Sequence, residues 1–172
     1  MRVLLRSLVL TTMLAAPAAH AAALTVNVEI PELDVASYHR PYIALWIEQP
    51  DHKVAADLAV WYEQDKKDDE GTKWLKDLRQ WWRRSGRNHS FPIDGVSGAT
   101  RPVGSHVLTF EGDKAPLADL PPGEYGLVVE AARELGGREL LRIPFTWPPS
   151  QEQQAAAKGE HELGKVTLDL AP

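Results

Sequence analysis

Apolar residues recur at every second position in short runs along this chain, and that period admits few folds. Leu24, Val26, Val28 and Ile30 alternate with Thr25, Asn27 and Glu29, so the segment reads as a strand with one apolar face. Further strand-like runs cover Tyr42 to Gln49, Lys53 to Glu63, Ser105 to Glu111, Glu124 to Glu134, Arg138 to Trp147 and Leu163 to Leu170, about seven strands in all. Turn chemistry separates them. Gln49-Pro50-Asp51 favours a tight hairpin, Pro121-Pro122-Gly123 leads into the fifth strand, and Gly136-Gly137 signals a hairpin between the fifth and sixth. Pro144 interrupts the sixth run and belongs at a sheet edge or a bulge, because it has no N–H to donate to a ladder.

One stretch has a different period. Trp74, Leu75, Leu78, Trp81 and Trp82 recur at helical spacing, which predicts an amphipathic helix over about 72–85 with Thr72 as N-cap and Gly86 ending it in the left-handed conformation. Asp65 to Glu70 reads as a solvated loop and Pro148 to Glu160 as a polar, mobile connection. Short strands with antiparallel turn signals and a single helix predict a mainly β fold, a two-sheet immunoglobulin-like sandwich with one inserted amphipathic helix. With no Cys in the chain, the disulfide of true immunoglobulin domains is absent and only the architecture is implied.

The first residues place Arg2 and Arg6 ahead of an uncharged run from Ser7 to Ala16, followed by small residues around Ala19-His20-Ala21. That order is the layout of a secretory signal peptide, residues 1–21, cleaved after Ala21 or Ala23, and the apolar run is too short to span a bilayer. No Cys follows it, so no lipid anchor is expected. Residues 22–172 are then one domain, expected in the periplasm. The formal charge of -5 falls to about -7 once Arg2 and Arg6 are removed, which argues against a nucleic-acid surface, and no remaining segment is apolar enough to enter a membrane. Thiol chemistry is excluded with cysteine. The histidines His39, His52, His89, His106 and His161 lack metal-ligand spacing, so no metal site is predicted. Ser97 stands in Gly95-Val96-Ser97-Gly98-Ala99, where Ala99 replaces the second glycine of a nucleophile elbow, so no catalytic residues are assigned.

Chemistry is concentrated in the loop 90–104, a long stretch of glycines, prolines and hydroxyls. Within it, Asp94-Gly95-Val96-Ser97-Gly98-Ala99-Thr100 resembles the flavinylation motif of the FMN-binding subunits of the sodium-pumping NADH:quinone reductase and of Rnf complexes. The resemblance implies that an exported FAD:protein FMN transferase attaches FMN to Thr100 through a phosphoester, with Asp94, Ser97, Gly98 and Ala99 forming the modification motif. It covers those residues alone, and the fold of those subunits does not carry over. Such a hydroxyl must enter another enzyme's active site, so an extended, slim loop is expected, with Gly98 and Ala99 leaving the backbone beside Thr100 unshielded. Trp81, Trp82 and Arg101 flank the motif and are the expected flavin contacts. Arg83, Arg84 and Arg87 also bracket the loop, whereas Trp74 and Trp147 are assigned to core packing.

Over its mature length the chain is similar to a predicted-periplasmic family of unknown function that occurs with PepSY-type membrane proteins and FMN transferases. The similarity rests on the strand from Arg40-Pro41-Tyr42 to Trp46, the Trp-rich segment, the Ser-Gly-Ala-Thr loop and the Pro122-Gly123-Glu124-Tyr125 turn. It implies a periplasmic electron carrier between a membrane reductase, of PepSY type, and a periplasmic acceptor. The alternative is a non-enzymatic periplasmic binding module for a metal, a haem or a partner protein. Flavin that survives denaturation separates the two.

Overall fold

The computed structural model describes residues 21–172; apart from Ala21, the expected signal sequence lies outside the described residues. The chain is mainly β. Its strands are β1 (Ala23–Ile30), β2 (Tyr42–Glu48), β3 (Val54–Tyr62), β4 (Ser97–Ala99), β5 (Gly104–Glu111), β6 (Gly123–Ala132), β7 (Arg138–Trp147), β8 (Gln153–Lys158) and β9 (Lys165–Ala171). They form a four-stranded sheet of order β5-β1-β9-β8 and a five-stranded sheet of order β4-β3-β2-β6-β7. All pairings are antiparallel except β3 with β4. Pro144 lies in β7, an edge strand, where its missing N–H removes no ladder bond from a sheet interior.

Alternation produces the core between the sheets. Leu24, Val26, Val28 and Ile30 of β1 meet Ile43, Leu45, Ile47, Leu127 and Val129 of the facing sheet, closed by Val166, Leu168 and Leu170. Strand β2 does not alternate, and every residue from Tyr42 to Glu48 is buried. The reason is a second apolar layer on the outer face of the five-stranded sheet, where Ala44, Trp46, Val60, Tyr62 and Val128 pack under Leu75, Leu78 and Trp81 of the segment inserted between β3 and β4.

That insertion differs from the single helix the spacing predicts. A 3-10 stretch, Lys67–Asp77, contains a kink at Asp68 and Asp69, and the α-helix α1 (Arg79–Arg84) is short. The buried residues Leu75, Leu78 and Trp81 fall at intervals of three, the 3-10 period. Thr72 does not cap a helix; its hydroxyl donates to the Asp69 carbonyl at 2.7 Å. The cap comes from another strand: Glu130 of β6, fully buried, accepts the N–H groups of Gln80 and Trp81, at 2.8 Å for the latter, and is neutralised by Arg138 at 2.9 Å. Gly86 opens a second 3-10 turn, Gly86–Asn88, without a positive φ. It is needed for space, since a Cβ there would stand 2.7 Å from the Trp81 ring.

Three further expectations are corrected. Residues 153–158 of the supposed mobile connection form β8, an edge strand on β9; its Gln-Gln-Ala-Ala-Ala-Lys sequence is too weakly apolar to signal a strand. Residues 97–99 of the long loop form β4. Trp74 is 48% exposed rather than core, whereas Trp147 is buried as expected.

Two carboxylates anchor distant segments. Burial would raise the Glu48 carboxyl, but the hydrogen bond from His52 and the charges of Arg142 and Arg84 outweigh it and hold the group below the usual range. Burial opposes ionisation of Glu139 as well, and backbone N–H bonds from Glu160, Leu163, His161 and Glu162 lower it.

Replacing Trp81 by Ala is expected to cost about 3–5 kcal/mol, and replacing Trp74 by Ala less than about 1 kcal/mol, in urea unfolding. Because Glu48 and Glu139 ionise more readily folded than unfolded, their contribution is complete above the unfolded value near about pH 4.3 and is lost as pH falls through the lower folded values. Thermal melts between about pH 5 and pH 2 should fall steeply, and Glu139→Gln should flatten that dependence.

Candidate functional site

The segment 90–104 is pinned at its start by aromatic packing. Phe91 stacks on Trp82 (centroids 6.1 Å, planes at 17°) and meets Tyr62 and Trp81 edge-on. Ile93 and Val96 join the same apolar layer. Between them Asp94 and Gly95 form an exposed turn, with Gly95 at φ 69°, a region that favours glycine. The turn is closed by Ser97, whose N–H donates to the Ile93 carbonyl at 2.9 Å and whose Oγ accepts the Ile93 N–H at 2.8 Å. Asp94 takes no part in those bonds.

From Ser97 the chain runs parallel to β3 along the sheet edge, pairing Ser97 with Val60, Gly98 with Trp61 and Ala99 with Tyr62. The Thr100 N–H extends the ladder to the Tyr62 carbonyl at 3.2 Å. The motif is therefore an edge strand with Thr100 half-buried at its end, not a free protruding loop. Residues 100–103 then cross to the other sheet, where β5 begins. Both β4 and β5 are edge strands on the same side of the sandwich, and Thr100 lies at the crossing between them.

A cleft of about 320 Å³ opens between these edges, lined by Leu58, Trp61, Gly98, Arg101, Leu108 and Phe110 among others. A Cβ at Gly98 would stand 3.2 Å from Trp61 Cδ1. The Arg101 guanidinium sits 5.3 Å over the Trp61 ring, and His106 meets that ring edge-on at 5.8 Å. Ser97 and Gly98 before Thr100 and Arg101 after it line this cleft, whereas Thr100 itself is not among its lining residues. Trp61 and His106 are the site residues that sequence reading missed. Trp61 belongs to an ordinary strand run, and only the parallel pairing of β4 brings it to the motif.

Of the expected flavin contacts, Arg101 lies in the cleft. Trp82 is half-buried at the foot of the loop, and Trp81 is fully buried, its Nε1 donating to Asp57 at 2.8 Å. Trp81 presents no open face to a ring. Arg84 is committed to Glu48 and Arg83 bonds Gln80, so neither serves the loop.

A Ser–His–Asp grouping stands nearby: Ser85 Oγ donates to Asp57 Oδ2 at 2.5 Å, and His89 Nε2 faces both, at 2.9 and 3.2 Å. One ring nitrogen meets both partners, so the imidazole does not stand between acid and hydroxyl as a proton relay requires. The grouping clasps the turn after α1. Among the described residues no three His, Cys, Asp or Glu side chains gather as a metal site, and no helix is long and apolar enough to cross a membrane.

A family model described as "Predicted periplasmic protein (DUF2271)" matches residues 23–165, and the chain belongs to that family. No curated protein and no solved structure matches it.

Replacing Ser97 by Ala removes the acceptor for the Ile93 N–H and is expected to cost about 1–2 kcal/mol by chemical denaturation. Val107→Ala, on the exposed face of β5, should leave stability nearly unchanged.

Proposed function

Taking the chain as a member of a family described as periplasmic, we propose that it is an electron carrier holding FMN on Thr100 as a phosphoester. The observation that carries this reading is the position of the motif. Asp94 to Thr100 forms a turn and a short edge strand, and Gly98 before Thr100 and Arg101 after it line a cleft that holds the Trp61 indole.

An FAD:protein FMN transferase supplies the modification. Thr100 Oγ attacks the FMN phosphorus of FAD, the bond to the AMP half breaks, AMP departs, and the hydroxyl proton is lost. Three residues of parallel pairing at a sheet edge hold β4, and such an edge detaches more readily than a sheet interior. That gives a transferase access to Thr100 while the sandwich stays folded.

The residues around Thr100 suit a flavin. Trp61, buried in the core and covered by Arg101, closes the floor of the cleft, Leu108 and Phe110 supply apolar contact, and Arg101 supplies positive charge toward the phosphate or the reduced ring. Bound there, the flavin contributes the redox chemistry, while the chain contributes attachment, orientation and charge. A covalent link also suits the periplasm, where a dissociated cofactor is not readily replaced. A membrane reductase, of PepSY type, would deliver electrons to the flavin and a periplasmic acceptor would remove them.

Intact mass after co-expression with an FMN transferase tests the reading. The wild type should gain one FMN less water, Thr100→Ser should retain the gain, and Thr100→Val should lose it. No gain in the wild type, or a gain that persists in Thr100→Val, rejects the proposal.

A further inference from the structure

The end of the five-stranded sheet where β2 begins and β6 ends carries a pocket of about 340 Å³, lined by His39, Arg40, Tyr42, Glu63, Lys66 and Trp74, with Asp77 and the hairpin residues from Ala132 to Leu135. Its apolar surface is unusual for a solvent-facing site. Trp74 is 48% exposed and Leu135, held at φ 55°, is 83% exposed. A leucine kept in the left-handed region costs backbone energy that Gly or Asn would avoid. The insertion buries Leu75 and Leu78 yet leaves the indole of Trp74 at the pocket wall.

The polar side of the pocket is equally specific. The Arg133 side chain is only 6% exposed, its Nε and Nη2 donating to Glu162 at 2.7 and 3.1 Å. Its Nη1 is buried with no hydrogen-bond partner among the described residues. A buried N–H without an acceptor costs about 1–3 kcal/mol. Arg40, exposed just before β2, has no acidic partner among the described residues. The Tyr38 phenol lies within the field of both guanidiniums, although burial leaves its pKa raised.

The other charges of the lining are largely matched. Lys66 pairs with Glu63 at 2.6 Å and His39 faces Glu134 at 3.5 Å. Asp77 is unmatched and belongs to the Trp74 segment, whereas Arg40 precedes β2 and Arg133 follows β6, beside the Tyr42–Ala132 pair. Arg40 is left as the unpaired cation of the lining, Arg133 being matched by Glu162, and Trp74 and Leu135 give the pocket its apolar surface.

We propose that this pocket binds a small organic carboxylate with an apolar or aromatic body. The carboxylate meets the exposed Arg40, with the buried Arg133 guanidinium behind it, and the body lies against Trp74 and Leu135. The site is separate from the Thr100 cleft and does not depend on flavin attachment.

Isothermal titration of the mature protein with 3-phenylpropionate tests the assignment, with 3-phenylpropanamide as its neutral counterpart. Saturable binding of one molecule is expected, weakened about tenfold or more by the amide and by Arg40→Ala, since a charged hydrogen-bonded contact is lost in each. Trp74→Ala should weaken both ligands, and Arg101→Ala, in the other cleft, should weaken neither. Arg40, Trp74 and Arg101 are all exposed, so unchanged melting temperatures verify that the variants fold. No saturable binding of 3-phenylpropionate, equal binding of the amide, or loss of binding in Arg101→Ala alone overturns the proposal.

Discussion

A five-stranded sheet with apolar side chains on both faces cannot stand in water with one face bare. The other sheet covers the inner face; the outer face, bearing Trp46, Val60, Tyr62 and Val128, requires its own cover. The insertion between β3 and β4 provides it. Because the cover is short and partly 3-10, its own backbone bonds do not stabilise it sufficiently. Glu130 reaches across from β6 to cap α1, and Asp57 on β3 holds the Trp81 indole. Both carboxylates belong to the sheet being covered, so sheet and insertion fix each other.

The candidate site follows from that arrangement. Phe91 leaves the insertion packed against Trp82 and Tyr62, and the chain then turns at Gly95 and runs along the edge of β3. That run brings Gly98 over Trp61 and delivers Thr100 to the gap between the two sheet edges. The segment from Asp94 to Thr100 meets the cleft because it leaves the outer layer along the edge of β3.

Much of the fold was legible. Alternation located β1 and β5, proline and glycine located the hairpins, and the unbroken apolar run of β2 reflects burial on both faces. Elements held by their neighbours were not legible. Strand β8 is an alanine and glutamine segment that β9 recruits, and β4 is three residues made into a strand by β3. The helix was overextended because Trp74 and Trp82 fit an α period, although the buried face follows Leu75, Leu78 and Trp81. At the site, residue order singled out the segment from Asp94 to Thr100 but not its pairing with β3. Trp61, His106 and the pocket around Arg133 were not, since each depends on pairings between residues far apart in sequence.

Most direct for the central claim is tandem mass spectrometry of the tryptic peptide Asn88–Lys114, which stays joined because Pro102 blocks cleavage after Arg101. In protein taken from its native envelope, the account predicts a peptide heavier by one FMN less water, with the added mass localised to Thr100. An unmodified peptide from cells that contain an active FMN transferase, or an addition localised to Ser97 or Ser105, would contradict it.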